Sequence, residues 1–225
     1  MIDKNTLQFL DKLAKNNNRD WFNEHKKEYL KCYENMISFA DKLLIEMNLH
    51  DDIANPTGKK CLHRIYRDTR FSKDKTPYKT NWSGGFKRDT ALLRGSYYFH
   101  ITPGGSFLAG GFWGPNSDDI KRIREEIDLN AEAFKKVFNS KDFKYNFDEI
   151  IGESLKTSPK GYTVDHPEIE LLRKKQFLVK KDFTDNEVLS IDFCSNANKT
   201  FSAMRPFFDL MSETLTTNSN GELIV

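Results

Sequence analysis

The sequence has few cysteines and almost no net charge, unlike proteins that are rich in disulfides, stabilised by a structural metal or strongly basic. Its 225 residues include three cysteines, which are widely separated, odd in number and form no Cys-x2-Cys pair. A disulfide framework and a structural zinc site are therefore not predicted. Lys and Arg exceed Asp and Glu by only two, 35 against 33. No global positive field marks the chain as a nucleic-acid binder, so any anion site must be local.

Long apolar runs are also absent. No stretch approaches the roughly 18 apolar residues that a membrane-spanning helix needs, and the chain opens directly into charged and polar positions. Neither a membrane span nor a secretion signal is predicted. Cys32 and Cys194 fall on apolar helical stripes and are expected to be buried and reduced. Thiols of this kind suit a reducing compartment, so the expected location is the cytoplasm.

Well-characterised catalytic motifs are missing too. The sequence has no Gly-x4-Gly-Lys-Ser/Thr phosphate loop, no Gly-x-Gly-x2-Gly fingerprint, no Gly-x-Ser-x-Gly elbow and no His-Glu-x2-His metal motif. No metal site is therefore predicted, and the sequence leaves the cofactor, if there is one, unknown. Whether the protein is an enzyme stays open, and so does its oligomeric state.

The residues that are present predict one folded domain over residues 1–225. Apolar side chains make up 38% and charged side chains 30% of the chain, a balance typical of globular proteins. Apolar positions recur at helical spacing over residues 4–15 and in one long stretch over residues 20–50. A further helical stripe lies near the end of the chain, where Pro206 predicts a kink or a break.

Strand signals fall in the middle of the chain and again later. Two stretches, 95–102 and 106–113, flank Pro103-Gly104-Gly105 and predict a hairpin. Residues 176–183 predict a late strand, and further strands are expected from residues 84–86 and from the segment before them. The predicted fold is α+β, with an antiparallel or mixed sheet of four to six strands covered by helices from both ends of the chain.

The densest group of charged and aromatic residues lies at 64–82, here called the basic cassette. Between residues 64 and 79 it carries six basic and two acidic side chains, a local excess of +4. As a strand it would have no clean apolar face, and such patterning failures are expected at functional sites. Arginine forks, lysine charges and aromatic rings together suit phosphate, nucleotide or single-stranded nucleic acid. The candidate ligand-binding residues are Arg64, Arg67, Asp68, Arg70, Lys73, Asp74, Lys75, Tyr78, Lys79 and Trp82.

A structural role for the same cassette is the alternative. Arg67 and Arg70 can pair with neighbouring carboxylates in a network that only stabilises the fold, while the lysines form a solvated turn around Pro77. Both interpretations stay open at this point.

A second group of candidates lies outside the cassette, at His100, Lys160, Asp165 and His166. Histidine titrates near neutrality, so His166 beside Asp165 suits an acid, a base or a ligand-binding group. The alternative is a capped helix start with Pro167 at the first helical position. His100 lies in a predicted strand, where a satisfied sheet residue is the alternative.

Four sequence blocks resemble one family. They are Asn16-Asn17-x-Arg19-Asp20-Trp21 with its flanking residues, the segment 64–79, residues 100–105 and residues 159–167. In this order they are similar to the uncharacterised microbial family labelled domain of unknown function 2461. Asp20 stands where the family pattern has glutamate, a change that keeps the charge. The resemblance implies a single-domain protein from bacteria or fungi, and it brings no established activity.

The basic cassette therefore favours an anion-binding module for phosphate, nucleotide or a nucleic-acid backbone. The alternative is an enzyme that acts on a phosphorylated or nucleotide substrate through Asp or His acid–base or metal chemistry. A convergent pocket holding a carboxylate or histidine beside the arginines would favour the enzyme, and a flat or extended basic groove would favour the binding module.

Overall fold

The computed structural model describes residues 1–218 and 220–224, and it combines helices with a four-stranded sheet. The helices are α1 Lys4–Lys15, α2 Arg19–Glu24, α3 Lys26–Met47, α4 Gly58–Cys61, α5 Ser117–Phe138, α6 Lys141–Asn146, α7 Ile169–Leu172, α8 Asp185–Val188, α9 Phe193–Ser202 and α10 Arg205–Thr216. The strands are β1 Trp82–Lys87, β2 Ser96–Ile101, β3 Ser106–Phe112 and β4 Phe177–Phe183. Within these described residues, none of the helices has both the length and the apolar character to cross a membrane. The predicted α+β class is confirmed.

The sheet is antiparallel, in the order β1-β2-β3-β4. β2 and β3 form the predicted hairpin, and Gly104 in its turn adopts a φ of +67°, which glycine tolerates without a steric penalty. The expectation of a strand in the basic cassette is wrong, because residues 64–79, all of them described, contribute only an isolated bridge between Tyr66 and Tyr78. The late strand is confirmed as β4.

The chain divides into two compact units, and the first comprises Met1–Phe86, Tyr98–Leu108 and Asp182–Lys199. Its core includes Phe39 of α3, which meets Phe99 of β2 edge to face with ring centroids 5.7 Å apart. Phe39 also stacks on Phe193 at 5.6 Å. Each ring of this kind contributes about 1.5–3 kcal/mol when it leaves water. The hydrophobic stripe of α3 therefore anchors the unit.

The long helix expected over residues 20–50 is broken at His25, between α2 and α3. The His25 imidazole stacks on Trp21 with ring centroids 4.0 Å apart, and its Nδ1 hydrogen-bonds the Trp21 carbonyl oxygen at 2.9 Å. Asn18 caps α2 by accepting a hydrogen bond from the Trp21 amide at 3.0 Å. Apolar spacing continues across the break, so periodicity alone does not reveal it.

The second unit comprises Lys87–Tyr97, Ala109–Lys181 and Thr200–Val225. Helix α10 packs against α5, and Phe208 of α10 contacts Tyr97 with ring centroids 4.8 Å apart. As predicted, the helical stripe is interrupted near Pro206, which lies in the first turn of α10, where its missing amide hydrogen is tolerated. Arg88 is almost fully buried, and its guanidinium donates to the Asp209 carboxylate at 2.6 Å.

The three cysteines, Cys32, Cys61 and Cys194, are buried as free thiols. Burial raises the pKa of the Cys61 thiol to about 12 and that of Cys194 to about 11. The predicted burial of Cys32 and Cys194 is confirmed, and these thiols carry little thiolate at neutral pH.

Candidate anion-binding site

The basic cassette folds back on itself, and two backbone hydrogen bonds beside the Tyr66–Tyr78 bridge form a base that carries a loop. The Arg67 amide donates to the Pro77 carbonyl oxygen at 2.9 Å, and the Lys79 amide donates to the Ile65 carbonyl oxygen at 2.7 Å. Pro77 has no amide hydrogen to return a bond, so the pairing ends there. The segment 68–76, here called the cassette loop, projects beyond this base.

Arg67 organises the cassette loop from its base. Its Nη1 donates to the Asp74 carboxylate and to the Thr76 hydroxyl, and the Thr76 amide donates to Asp74 Oδ1 at 2.9 Å. The hydrogen bond from Arg67 is the main reason that the pKa of Asp74 falls to about 2, with the Thr76 amide adding to it. The alternative of a purely structural ion-pair network therefore holds for the Nη1 group of Arg67, which bonds within the cassette.

Other charges of the cassette loop pair within it. Arg70 donates to Asp68 through Nε at 3.0 Å and Nη2 at 2.7 Å, which lowers the pKa of the Asp68 carboxyl. Both side chains are exposed, so this pair adds little to stability. Lys75 Nζ donates to the Thr69 carbonyl oxygen at 2.8 Å, and Lys73 is exposed.

A cavity of about 730 Å³ opens between the cassette and the turn that leads from α1 into α2. It is lined by side chains rich in cationic, amide and phenol groups: Asn17, Asn18, Arg19, Asn23, Tyr66, Arg67, Thr69, Lys75, Thr76, Pro77 and Tyr78. Among these described lining residues there is no carboxylate and no histidine. The cavity therefore has a positive lining.

Asn17 joins the two walls of the cavity. Its Nδ2 donates to the Tyr78 carbonyl oxygen at 2.9 Å, and its Oδ1 accepts from the Tyr78 amide at 3.1 Å. The side-chain amide thus takes the place of a strand partner for Tyr78. This pair of bonds, here called the Asn17 clasp, holds the turn before α2 against the base of the cassette.

Arg19 is the cation that faces the cavity from the other wall. It is exposed and makes no hydrogen bond or ion pair with any residue in 1–218 or 220–224. Burial and Tyr66 raise the pKa of Tyr78, and the charge of Arg19 opposes that rise, which places the guanidinium close to the Tyr78 phenol. Residue-by-residue reasoning missed Arg19, although the block Asn16-Asn17-x-Arg19 carries part of the family resemblance.

Aromatic rings form a further part of the cavity wall. Tyr78 is buried and stacks on Phe22 with ring centroids 4.0 Å apart. Tyr66 lies 5.3 Å from Tyr78 between ring centroids, yet 53% of its surface is exposed. The site therefore combines a half-exposed phenol ring with cationic groups.

The remaining cassette candidates lie outside the cavity lining. Trp82 is buried, and its Nε1 donates to the Thr6 carbonyl oxygen at 3.0 Å, a structural contact. Arg64 is exposed, and Lys79 is half-buried with a pKa lowered by burial and by the charge of Arg64. His100 stacks on Phe107 at 4.7 Å within the hairpin, as expected of a sheet residue.

The candidates Lys160, Asp165 and His166 belong to the second unit. His166 Nε2 bonds to Asp128 Oδ1 at 2.9 Å, and its Nδ1 accepts from the Glu168 amide at 3.1 Å. Both ring nitrogens thus have protein partners at the start of α7, while Lys160 and Asp165 are exposed. The expectation of Pro167 at the first helical position is wrong, because α7 begins at Ile169.

Both walls of the cavity fall within a recognised family region. Residues 5–210 match the family described as a conserved hypothetical protein family, DUF2461. The chain belongs to the DUF2461 family. The resemblance drawn from the four sequence blocks is therefore confirmed. No curated protein and no solved structure matches the chain. Among residues 1–218 and 220–224 of this DUF2461 protein, no group of three or more His, Cys, Asp or Glu residues is arranged to hold a metal ion.

Proposed function

We propose that the cavity beside the basic cassette binds a small phosphate-bearing ligand, with a nucleotide as the favoured class. The observation that carries the proposal is the position of Arg19, a cation without a protein partner in the described chain, in the same cavity as Arg67 and Lys75. Three positive groups around one cavity attract an anion of high charge density.

The hydrogen-bonding pattern of Arg67 supports the proposal. Its two side-chain bonds both come from Nη1. Nε and Nη2 therefore have no acceptor among the described residues, and together they form one edge of the planar fork. An arginine edge of this kind can donate two parallel hydrogen bonds to a phosphate. Arg67 is thus suited to hold the cassette loop with one edge and a ligand with the other.

The cavity favours a small molecule with a planar group over an extended strand of nucleic acid. Its volume of about 730 Å³ falls in the range of small-molecule sites, roughly 300–1,000 Å³. The half-exposed ring of Tyr66 provides a surface on which a base can stack. Inorganic phosphate would leave this ring unused.

Binding is favoured over catalysis for this cavity. A convergent pocket was one of the features expected of an enzyme, but the other feature, a carboxylate or histidine, does not occur among its described lining residues. The positive groups can therefore hold and orient a phosphate, whereas no lining side chain is an evident acid–base group near neutral pH.

The test is calorimetric titration with adenosine monophosphate at low salt, using Arg19→Ala and Arg70→Ala as a matched pair. Loss of charge-assisted hydrogen bonds costs about 1.5–3 kcal/mol, so Arg19→Ala is expected to weaken binding roughly 10- to 150-fold. Arg70→Ala should bind as tightly as the wild type, because Arg70 pairs with Asp68 outside the cavity lining. Absence of binding by the wild type at low salt, or equal losses in both variants, would overturn the proposal.

A further inference from the structure

Helix α2 presents two side chains to the cavity. Of its six residues, all of them described, only Arg19 and Asn23 line the cavity. Positions four apart lie on the same face of a helix, one turn from each other. Two residues between them pack on the protein instead, since Phe22 is buried and Trp21 stacks on His25. One face of α2 therefore forms part of the cavity wall.

The side-chain amide of Asn23 is available to a ligand. Asn23 is exposed, and its amide has no hydrogen-bond partner within residues 1–218 and 220–224. The other two asparagines of the lining hold the fold together. Asn17 bonds the backbone of Tyr78 through both its oxygen and its nitrogen, and the Asn18 oxygen caps α2. Asn23 therefore offers a donor and an acceptor together, which suits a hydroxyl group because a hydroxyl both donates and accepts.

The distance from Arg19 indicates which part of a nucleotide Asn23 meets. Four helical residues rise about 6 Å along the helix axis. With the phosphate at Arg19 and the base on Tyr66, the ribose connects these two groups. Phe22, the neighbour of Asn23 in the chain, has its ring centroid 6.3 Å from that of Tyr66. The segment that carries Asn23 thus lies one turn beyond the phosphate-binding cation and borders the stacking ring, which is the place of the sugar.

Asn23 is held in position before a ligand arrives. The ring of Phe22 stacks on Tyr78 with centroids 4.0 Å apart, and His25 Nδ1 bonds the Trp21 carbonyl oxygen at 2.9 Å. These contacts fix α2 directly before and after Asn23. A side chain on an anchored helix loses only its own rotamer freedom when it binds, so little of the binding energy is spent on ordering the wall.

We infer that Asn23 hydrogen-bonds a hydroxyl of the ribose, and that the ligand is a ribonucleotide rather than a deoxyribonucleotide. This inference rests on the proposed function and extends it from the phosphate and the base to the sugar. A ribose hydroxyl is a group by which proteins distinguish ribonucleotides from deoxyribonucleotides. A ligand that lacks the hydroxyl leaves the Asn23 bond unmade.

The expected preference is modest. Because Asn23 is exposed, water takes over part of the bond when the hydroxyl is missing. The effect is therefore that of one ordinary hydrogen bond, a change in Kd of about 2- to 13-fold.

The test is calorimetric titration of the full-length protein at low salt with adenosine monophosphate and with its 2′-deoxy and 3′-deoxy analogues. The wild type should bind adenosine monophosphate more tightly than the analogue that lacks the bonded hydroxyl. Asn23→Ala should lower the affinity for adenosine monophosphate to that for this analogue, whose own affinity stays unchanged. Alanine favours the helix, so the variant should fold. Glu24→Ala is the matched control, because Glu24 is the next residue of α2, is exposed and does not line the cavity.

The outcomes separate this inference from the proposed function. If the wild type binds none of the three ligands, the phosphate site is refuted and the ribose contact with it. If it binds all three equally, only the ribose contact is refuted. A preference that persists in Asn23→Ala, or that Glu24→Ala abolishes as well, would overturn the role of Asn23. Arg19→Ala should weaken the three ligands by a common factor, because it removes a phosphate contact and leaves the sugar contact in place.

Discussion

Replacing Tyr66 by leucine should separate recognition of a base from recognition of a phosphate. Tyr66 lines the cavity with a ring that is 53% exposed, while its neighbours Tyr78 and Phe22 have ring centroids at 5.3 and 6.3 Å. Leucine keeps part of the contact with those rings but offers no flat π surface. The substitution therefore removes the stacking platform and leaves the cations in place.

The magnitude follows from the stacking energy. A base stacked on an aromatic side chain contributes about 1–3 kcal/mol, which corresponds to a roughly 5- to 150-fold change in Kd. Loss of the Tyr66 and Tyr78 ring pair adds a stability cost of about 0.5–1.5 kcal/mol, too small to unfold a domain of ordinary stability. Binding should therefore change far more than folding does.

The assay compares adenosine monophosphate with ribose 5-phosphate, which has the phosphate and the sugar but no base. Tyr66→Leu is expected to bring the affinity for the nucleotide down to that for the sugar phosphate, whose own affinity stays unchanged. Phe71→Leu is the matched control, because Phe71 is another aromatic residue of the basic cassette, is 96% exposed and does not line the cavity. If Tyr66→Leu weakens both ligands equally, or neither, stacking on Tyr66 is refuted.

Two further predictions concern the loop and the sheet. The folded-state pKa of Asp74 is lowered to about 2. The hydrogen bond that Asp74 accepts from the Thr76 amide should therefore be fully formed above the usual carboxyl pKa of about 4 and be lost as pH falls through about 2. A pH titration of the Thr76 amide NMR signal with a midpoint near 4 would contradict this. Gly111→Ala should destabilise the protein by about 2–5 kcal/mol in denaturant melts, because Gly111 has a φ of +134° and an added Cβ would lie 2.1 Å from the Phe177 carbonyl oxygen. Gly114→Ala, where the added Cβ would have no neighbour within 4 Å, should be nearly neutral, and equal losses would refute the steric argument.

The elements that could be predicted from the sequence are those with local causes. The hairpin has its turn glycines between two runs of β-forming residues, and the break before α10 follows from Pro206 alone. The capping box that opens α8 is also local, since Thr184 and Glu187 bond reciprocally across three residues. Such signals lie within a few positions of one another, so no knowledge of the tertiary fold is needed.

The candidate site could not be predicted in the same way, because it is formed by contacts between residues that are far apart in the chain. Arg67 was recognised from the charge of its own segment, but Asn17 and Tyr78 are 61 residues apart, and nothing near either residue indicates the clasp. Arg70 resembles Arg67 in the sequence, yet one pairs with Asp68 outside the cavity and the other faces into it.

Because of the Asn17 clasp, the length of the cassette loop can change without affecting the rest of the fold. The bridge between Tyr66 and Tyr78, together with the two bonds from Asn17, secures the base of the loop from both sides. Residues 68–76 therefore begin and end at anchored positions, and their backbone is free of the sheet. Insertions or substitutions in this loop would change the depth, the width or the charge of the cavity without moving its opposite wall. The loop is thus a replaceable segment, through which one scaffold can be adapted to ligands of different size.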